Sequence, residues 1–89
     1  KGRIAVEGHT DSIPINSFAY PSNWDLAVSR AASVTRRLVK TETGIDPKRV
    51  TASGFAETRP QAINTTPEGR ARNRRVEIIV KQPIDRFEN

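Results

Sequence analysis

Three short stretches of the chain have the pattern of β-strands, and in the first of them apolar and polar residues alternate weakly. The first stretch covers residues 3–8 (RIAVEG) and stops at Gly8. The second covers residues 49–55 (RVTASGF), and the third covers residues 74–81 (RRVEIIVK). Each contains β-branched residues, which favour extended backbone. We therefore predict three strands.

A helix is predicted between the first two strands, where four apolar residues recur at spacings of three and four. This apolar stripe consists of Ala27, Ala31, Val34 and Leu38. Ser22 is a good N-cap, and Asp25, three positions later, favours the positive end of the helix. The helix is predicted to end near residues 40–43, with Gly44 as its C-cap. The stripe is expected to face a sheet.

A second, shorter helix is predicted over residues 68–73, because Thr66 and Pro67 have the pattern of an N-cap followed by proline at the first helical position. Segment 12–21 carries two prolines and several small polar residues, and segment 56–66 is polar and interrupted by Pro60, so both are predicted to be loops. Strand, helix and strand of these lengths predict a parallel, right-handed unit. The predicted fold class is α+β, with helices packed on one face of a small mixed sheet.

Composition limits the chain to a single domain over residues 1–89, with a tail at 82–89. With 89 residues, 35% of them hydrophobic, it can form one modest core. There is no cysteine, so disulfides and thiolate metal sites are excluded, and one histidine, His9, cannot form a metal site by itself. No stretch approaches the ~18 apolar residues of a membrane span. No metal or cofactor is expected.

The net charge of +5 suits a polyanionic or carboxylate-rich partner. Four arginines fall within residues 70–75 (RARNRR), and such a cluster can contact nucleic-acid phosphates. No helix-turn-helix, zinc-finger or RNA-recognition pattern accompanies it. A solvated basic face is the simpler interpretation, and nucleic acid is not expected to be a partner.

An enzymatic function is not favoured by the sequence. His9, Thr10 and Asp11 are contiguous, and neighbours on a strand point to opposite faces, so they do not form a nucleophile and base pair. Glycine-rich phosphate loops are absent from the sequence. His9 is expected to hydrogen-bond to backbone at the end of its strand rather than to act as a base.

One carboxylate lies where α/β units place their ligands, since Asp11 follows the carboxyl end of the first strand. Asn23, Leu26 and Arg30 are three and four residues apart and share a helix face beside the apolar stripe, so Arg30 could reach the same cleft. Two simpler interpretations stay open. Asp11 could cap a turn, and Arg30 could be a surface residue or a salt-bridge partner of Asp11.

Four motifs, in this order, resemble the OmpA-like peptidoglycan-binding domain. They are VEGHTD, NWDLAVSRAASV, RVTASGFAETRPQAIN and TPEGRARNRRVEI, and they extend from about Ile4 to Val80. The resemblance implies an OmpA-like two-layer sandwich that binds without catalysis. The family's ligand is the stem peptide of peptidoglycan, in particular meso-diaminopimelate, and its two signature ligand residues match Asp11 and Arg30.

Four further positions match family residues near the ligand. Thr10 and Asn23 resemble residues that border the site, and Asn73 and Arg74 resemble the motif whose arginines support or line it. We therefore include all four in the expected peptidoglycan-binding set. The alternative for the arginines is that Arg74 or Arg75 bridges to acidic neighbours and anchors the last strand.

Within the family, SIPI after Asp11 and YPSNWDL at the helix start resemble the periplasmic domain of the flagellar stator B subunit, the MotB/PomB type. This implies a periplasmic domain tethered to the inner membrane, a homodimer in the full-length protein and a stator A-type subunit as partner. The alternative is a wall-anchoring or interaction domain of an outer-membrane lipoprotein, porin or secretion component. Family members usually begin with a further strand and helix, so we expect an N-terminally truncated domain.

Overall fold

A computed structural model describes residues 2–82 and shows three strands and two α-helices. In chain order these are β1 (Arg3–His9), α1 (Asn23–Leu38), β2 (Val50–Gly54), α2 (Pro67–Asn73) and β3 (Arg75–Lys81). Two short 3₁₀ turns separate α1 from β2. The predicted strands and helices are confirmed to within one or two residues, except at the end of α1. From residue 83 onward the predicted tail lies outside the described residues.

The sheet is small and mixed, with the strand order β2-β1-β3. β1 is the central strand, parallel to β2 and antiparallel to β3. The predicted parallel pairing of the first two strands is therefore confirmed. Because β3 runs antiparallel to β1, the start of β3 lies beside the end of β1, where His9 pairs with Arg75.

The start of α1 follows the sequence signal, since the Ser22 hydroxyl accepts from the backbone N–H of Asp25. The predicted end is wrong: α1 stops at Leu38, and Gly44 instead ends the following 3₁₀ turn, with φ of 72°. Thr43 explains the difference, because its hydroxyl lies 2.6 and 2.8 Å from the carbonyl oxygens of Leu38 and Lys40 and its single proton is shared between them. A side chain thereby occupies carbonyls that would otherwise extend the helix or face water.

The predicted apolar stripe of α1 is confirmed as the face that packs on the sheet. Ala27 and Ala31 are fully buried, and Val34 and Leu38 pack, partly exposed, against the core. The two alanines let the helix lie close to the sheet. Gly8 and Gly54 of the sheet face the helix at this point, and neither has a side chain that would keep it away. The two-layer α+β fold is thus built on small residues at its centre.

α1 lies mainly over β1 and β2 and leaves the helix side of β3 open. Ile78 and Val80 pair with Val6 and Ile4 and so share their face of the sheet, but are 50% and 58% exposed.

Among residues 2–82, no helix has the length and apolar character to cross a membrane.

Leu38→Ala is expected to lower the free energy of unfolding by about 2 kcal/mol, the lower end for buried leucines because Leu38 is partly exposed. Urea denaturation measures the loss. Ser33→Ala, at an exposed position on the same helix, is the control and should change little. An unchanged urea midpoint for Leu38→Ala would show that Leu38 of the apolar stripe does not pack against the sheet.

Candidate functional site

A cavity of about 280 Å³ opens beside the end of β1. Five of the six residues expected from the sequence line it, namely Thr10, Asp11, Asn23, Arg30 and Arg74. Apolar side chains complete its wall, from Ile13, Pro14, Ile15 and Leu26. The cavity therefore combines one carboxylate, two guanidinium groups and an apolar surface.

Three elements bring these residues together. Thr10 and Asp11 directly follow β1, while Asn23 and Arg30 lie seven residues apart on α1, which is about two turns and hence one side of the helix. Arg74 lies between α2 and β3, and the antiparallel pairing of β1 and β3 places it beside Asp11. Leu26 lies between Asn23 and Arg30 on the predicted face and lines the cavity with them.

Asp11 is nearly buried, and both of its carboxylate oxygens are engaged. One oxygen accepts from the backbone N–H of Ile13 at 3.0 Å, which is a turn-capping bond. The interpretation that Asp11 caps a turn is therefore confirmed. The other accepts from Arg74 Nη1 at 2.8 Å. A carboxylate can accept about four hydrogen bonds, so this geometry still leaves acceptor capacity for a ligand.

The ion pair of Asp11 is formed with Arg74 and not with Arg30. The alternative that Arg74 bridges to an acidic neighbour is therefore confirmed, and it coexists with a place in the cavity wall. The side chain of Arg74 is 45% exposed, so the bond by itself adds little stability. Among residues 2–82, Arg30 has no salt-bridge partner, and its guanidinium is free to bind an anion.

The charges that line the cavity sum to +1, from Asp11, Arg30 and Arg74. With both signs of charge in its wall, such a site suits a ligand end that carries a carboxylate together with a cationic group. Arginine holds a carboxylate by two parallel hydrogen bonds, so the uncommitted Arg30 also gives directional recognition.

Thr10 and Asn23 hold the loop that forms the cavity rim. The Thr10 hydroxyl donates to the Asp11 carbonyl at 2.8 Å, and its backbone N–H donates to Ala56. The Asn23 amide donates to the carbonyls of Asp11 and Ile13 at 3.4 and 3.2 Å. These bonds fix the backbone after β1 to the first turn of α1 and thereby position Asp11.

Asn73 is the one expected site residue that does not line the cavity, and its place in the ligand-binding set stays a prediction. It is fully buried, and its amide group supports the loop before α2. Its oxygen accepts from the N–H groups of Gln61 and Ala62, and its nitrogen donates to the carbonyl of Ala62 and to Asn64 Oδ1. Asn73 is therefore a positioning residue.

Asn64 is a residue that the sequence reasoning missed. Its Oδ1 accepts from Asn73 and from the backbone N–H of Ser12, at 2.9 and 3.2 Å. It thus connects the buried Asn73 to the turn that holds Asp11. A contact across 52 residues leaves no signal in a single sequence.

His9 differs from the expectation that it hydrogen-bonds to backbone. It is 2% exposed and stacks on Phe55, with ring centroids 5.3 Å apart and an interplanar angle of 15°. Arg59 lies 4.0 Å from the Phe55 ring centre. In the described part of the chain neither imidazole nitrogen has a hydrogen-bond partner. Burial, reinforced by the charge of Arg75, lowers the pKa of His9, so the imidazole is neutral at pH 7.

Comparison with known proteins agrees with this architecture. The sequence matches the OmpA family over residues 1–74. Motility protein B of Bacillus subtilis is 42% identical over 77 residues, which are 86% of this chain and 29% of that protein. The chain spans about a third of the length of curated relatives such as this one.

Two solved structures share the fold. The cell wall anchor of the T6SS from Pseudomonas aeruginosa aligns with a TM-score of 0.80 and 49% identity, covering 91% of this chain and 55% of that one. The C-terminal domain of Helicobacter pylori MotB aligns with a TM-score of 0.84 and 32% identity, covering 94% and 62%. The chain therefore belongs to the OmpA family, and the expected OmpA-like fold is confirmed.

Proposed function

We propose that this domain binds cell-wall peptidoglycan, without catalysis, through the free end of a diaminopimelate side chain in the stem peptide. That end has both an ammonium group and a carboxylate group. The observation that carries the proposal is a cavity in which a free guanidinium, Arg30, and a carboxylate with remaining acceptor capacity, Asp11, line the same wall.

Each side chain has a defined part in this proposal. Arg30 holds the ligand carboxylate through its planar fork, and Asp11 accepts from the ammonium group. Arg74 holds the Asp11 carboxylate in place through their ion pair, while its exposed surface adds positive charge beside the carboxylate. Leu26 and the apolar residues after Asp11 contact the methylene groups between the two charged ends.

The wall source distinguishes this proposal from general charge attraction. Wild-type protein is expected to cosediment with purified sacculi that contain diaminopimelate and to bind lysine-containing sacculi at least about tenfold more weakly. Lysine lacks the carboxylate, and loss of one charged hydrogen-bonded partner costs about 2 kcal/mol or more. Sacculi in which this carboxylate is amidated are the matched control for size, and should also bind weakly. Equal retention on all three walls would contradict the proposed ligand.

At the level of the whole protein, we propose that the domain anchors a flagellar stator to the wall from the periplasm. The likeness to Motility protein B and to MotB structures supports this assignment. In that setting the full-length protein would be a homodimer, tethered to the inner membrane and assembled with a stator A-type subunit. The alternative is anchoring of a secretion assembly, which the likeness to the T6SS anchor favours.

The two assignments differ in the partner of the full-length protein. Deletion of its gene is expected to abolish swimming in soft agar without loss of flagellar filaments, because a stator without its wall anchor cannot deliver torque. A mutant that swims normally but no longer secretes would support the secretion alternative instead.

A further inference from the structure

The face of the sheet turned away from α1 holds a cluster of one histidine and two glutamates. Side chains alternate along a strand, so Glu7 and His9 of β1 lie opposite to the buried Val6 and Gly8. Glu77 of β3 pairs directly with Glu7 across the sheet. One nitrogen of His9 and one oxygen of each carboxylate all lie within 4.8 Å of one another.

The two glutamates form an unfavourable pair unless a cation lies between them, because like charges directly opposite on paired strands repel. Arg75 compensates only one of them. Its Nε donates to Glu77 at 2.6 Å, and this bond lowers the pKa of Glu77. Among residues 2–82, Glu7 has no salt-bridge partner.

His9 supplies an independent observation at the same place. It is 98% buried, yet neither ring nitrogen has a hydrogen-bond partner in the described residues. Leaving buried polar atoms unpaired costs free energy, and such atoms call for an explanation. A histidine ring nitrogen is the commonest protein ligand of metal ions.

We infer that Glu7, His9 and Glu77 form a binding site for a divalent metal ion of the zinc type. One imidazole nitrogen and two carboxylate oxygens suit Zn²⁺, and a water molecule would fill the fourth position. Nitrogen and oxygen ligands about 2.1 Å from a tetrahedral zinc ion lie about 3.4 Å apart, so rotation of the half-buried glutamates would close the site around the ion. Arg75 remains bonded to the carbonyls of Asn73 and Arg59.

The metal site is separate from the wall-binding cavity. None of its three ligands lines that cavity, although His9 directly precedes Thr10 and Asp11 in the chain. Metal binding at His9 would therefore rigidify the end of β1 without occupying the ligand's position. The inference does not depend on the wall proposal.

Titration of untagged protein with ZnCl₂ in a calorimeter tests the site. Wild type is expected to bind one Zn²⁺ ion and to show a higher Tm with zinc than with EDTA. Glu7→Gln and Glu77→Gln are expected to weaken binding by at least about tenfold, since even groups that only support metal ligands contribute this much. Glu42→Gln, at an exposed position in a 3₁₀ turn, is the matched control and should bind as wild type does.

His9→Phe retains an aromatic ring on Phe55 and removes both nitrogens, so it should fold and lose zinc binding. His9 is the only histidine, and its ¹⁵N imidazole resonances therefore report the ligand directly. Zinc is expected to shift one of them strongly. Unshifted resonances at saturating zinc, or equal affinity of wild type and His9→Phe, would overturn the inference.

Discussion

Arg30→Lys and Asp11→Asn are each expected to remove most of the protein from diaminopimelate-containing sacculi in a cosedimentation assay. Lysine keeps the charge of Arg30 but loses the fork that binds a carboxylate by two hydrogen bonds. Asparagine keeps an oxygen for the N–H of Ile13 but loses the negative charge that faces the ammonium group. For Asp11→Asn, loss of one charged partner in a partly desolvated pair costs about 2 to 5 kcal/mol, or roughly thirty-fold or more in affinity.

The same two variants should remain folded, which separates binding from stability. Arg30 has no salt bridge in the described structure, and the bond between Asp11 and the exposed Arg74 adds little stability. Arg36→Lys, at an exposed position on the same helix and outside the cavity, is the matched control for the arginine change. If both variants bind sacculi as well as Arg36→Lys does, the proposed site is wrong.

Gly8→Ala is expected to be strongly destabilising. A Cβ atom at residue 8 would overlap the carbonyl oxygen of Ala27, and both groups belong to the backbone of packed elements. The overlap can be relieved only by moving α1 away from β1, which also opens contacts around Val6 and Ala31. We expect a loss of about 3 kcal/mol or more, a large part of the stability of a domain of this size.

Thermal unfolding followed by circular dichroism measures this loss. For a domain of this length, 3 kcal/mol corresponds to a fall in Tm of more than about 12 °C. Gly44→Ala is the control, because Gly44 has a φ of 72° but open space around its Cβ position, so it should cost only about 1 to 2 kcal/mol. Equal losses at the two glycines would show that α1 does not pack as closely as described.

The strands and helices could be predicted because their signals are local. Short runs rich in β-branched residues mark the strands, and the Ser22 and Thr66 caps mark the helix starts. The end of α1 was misplaced because Gly44 does cap a helical turn, but one that Thr43 had already separated from α1. A glycine signal shows that a turn ends there and does not show which helix it ends.

The site was predicted less completely, because its bonds join distant parts of the chain. Asp11 and Arg30 were identified from strand-end position, helical spacing and family resemblance, and the structure brings them to one cavity. The bond between Asp11 and Arg74 crosses 63 residues, and the support from Asn73 through Asn64 crosses two loops. Such contacts depend on how β1 and β3 meet, which no short pattern encodes.

The central position of β1 has a mechanical consequence for an anchor. Asp11 directly follows this strand, so in the proposed anchor tension from the wall would enter the fold at the strand that is hydrogen-bonded on both sides. Through Arg30 and Arg74, which line the same cavity, the load would also reach α1 and β3. To pull the attachment point free, a force must break two rows of backbone hydrogen bonds at once, whereas an edge strand would yield after one.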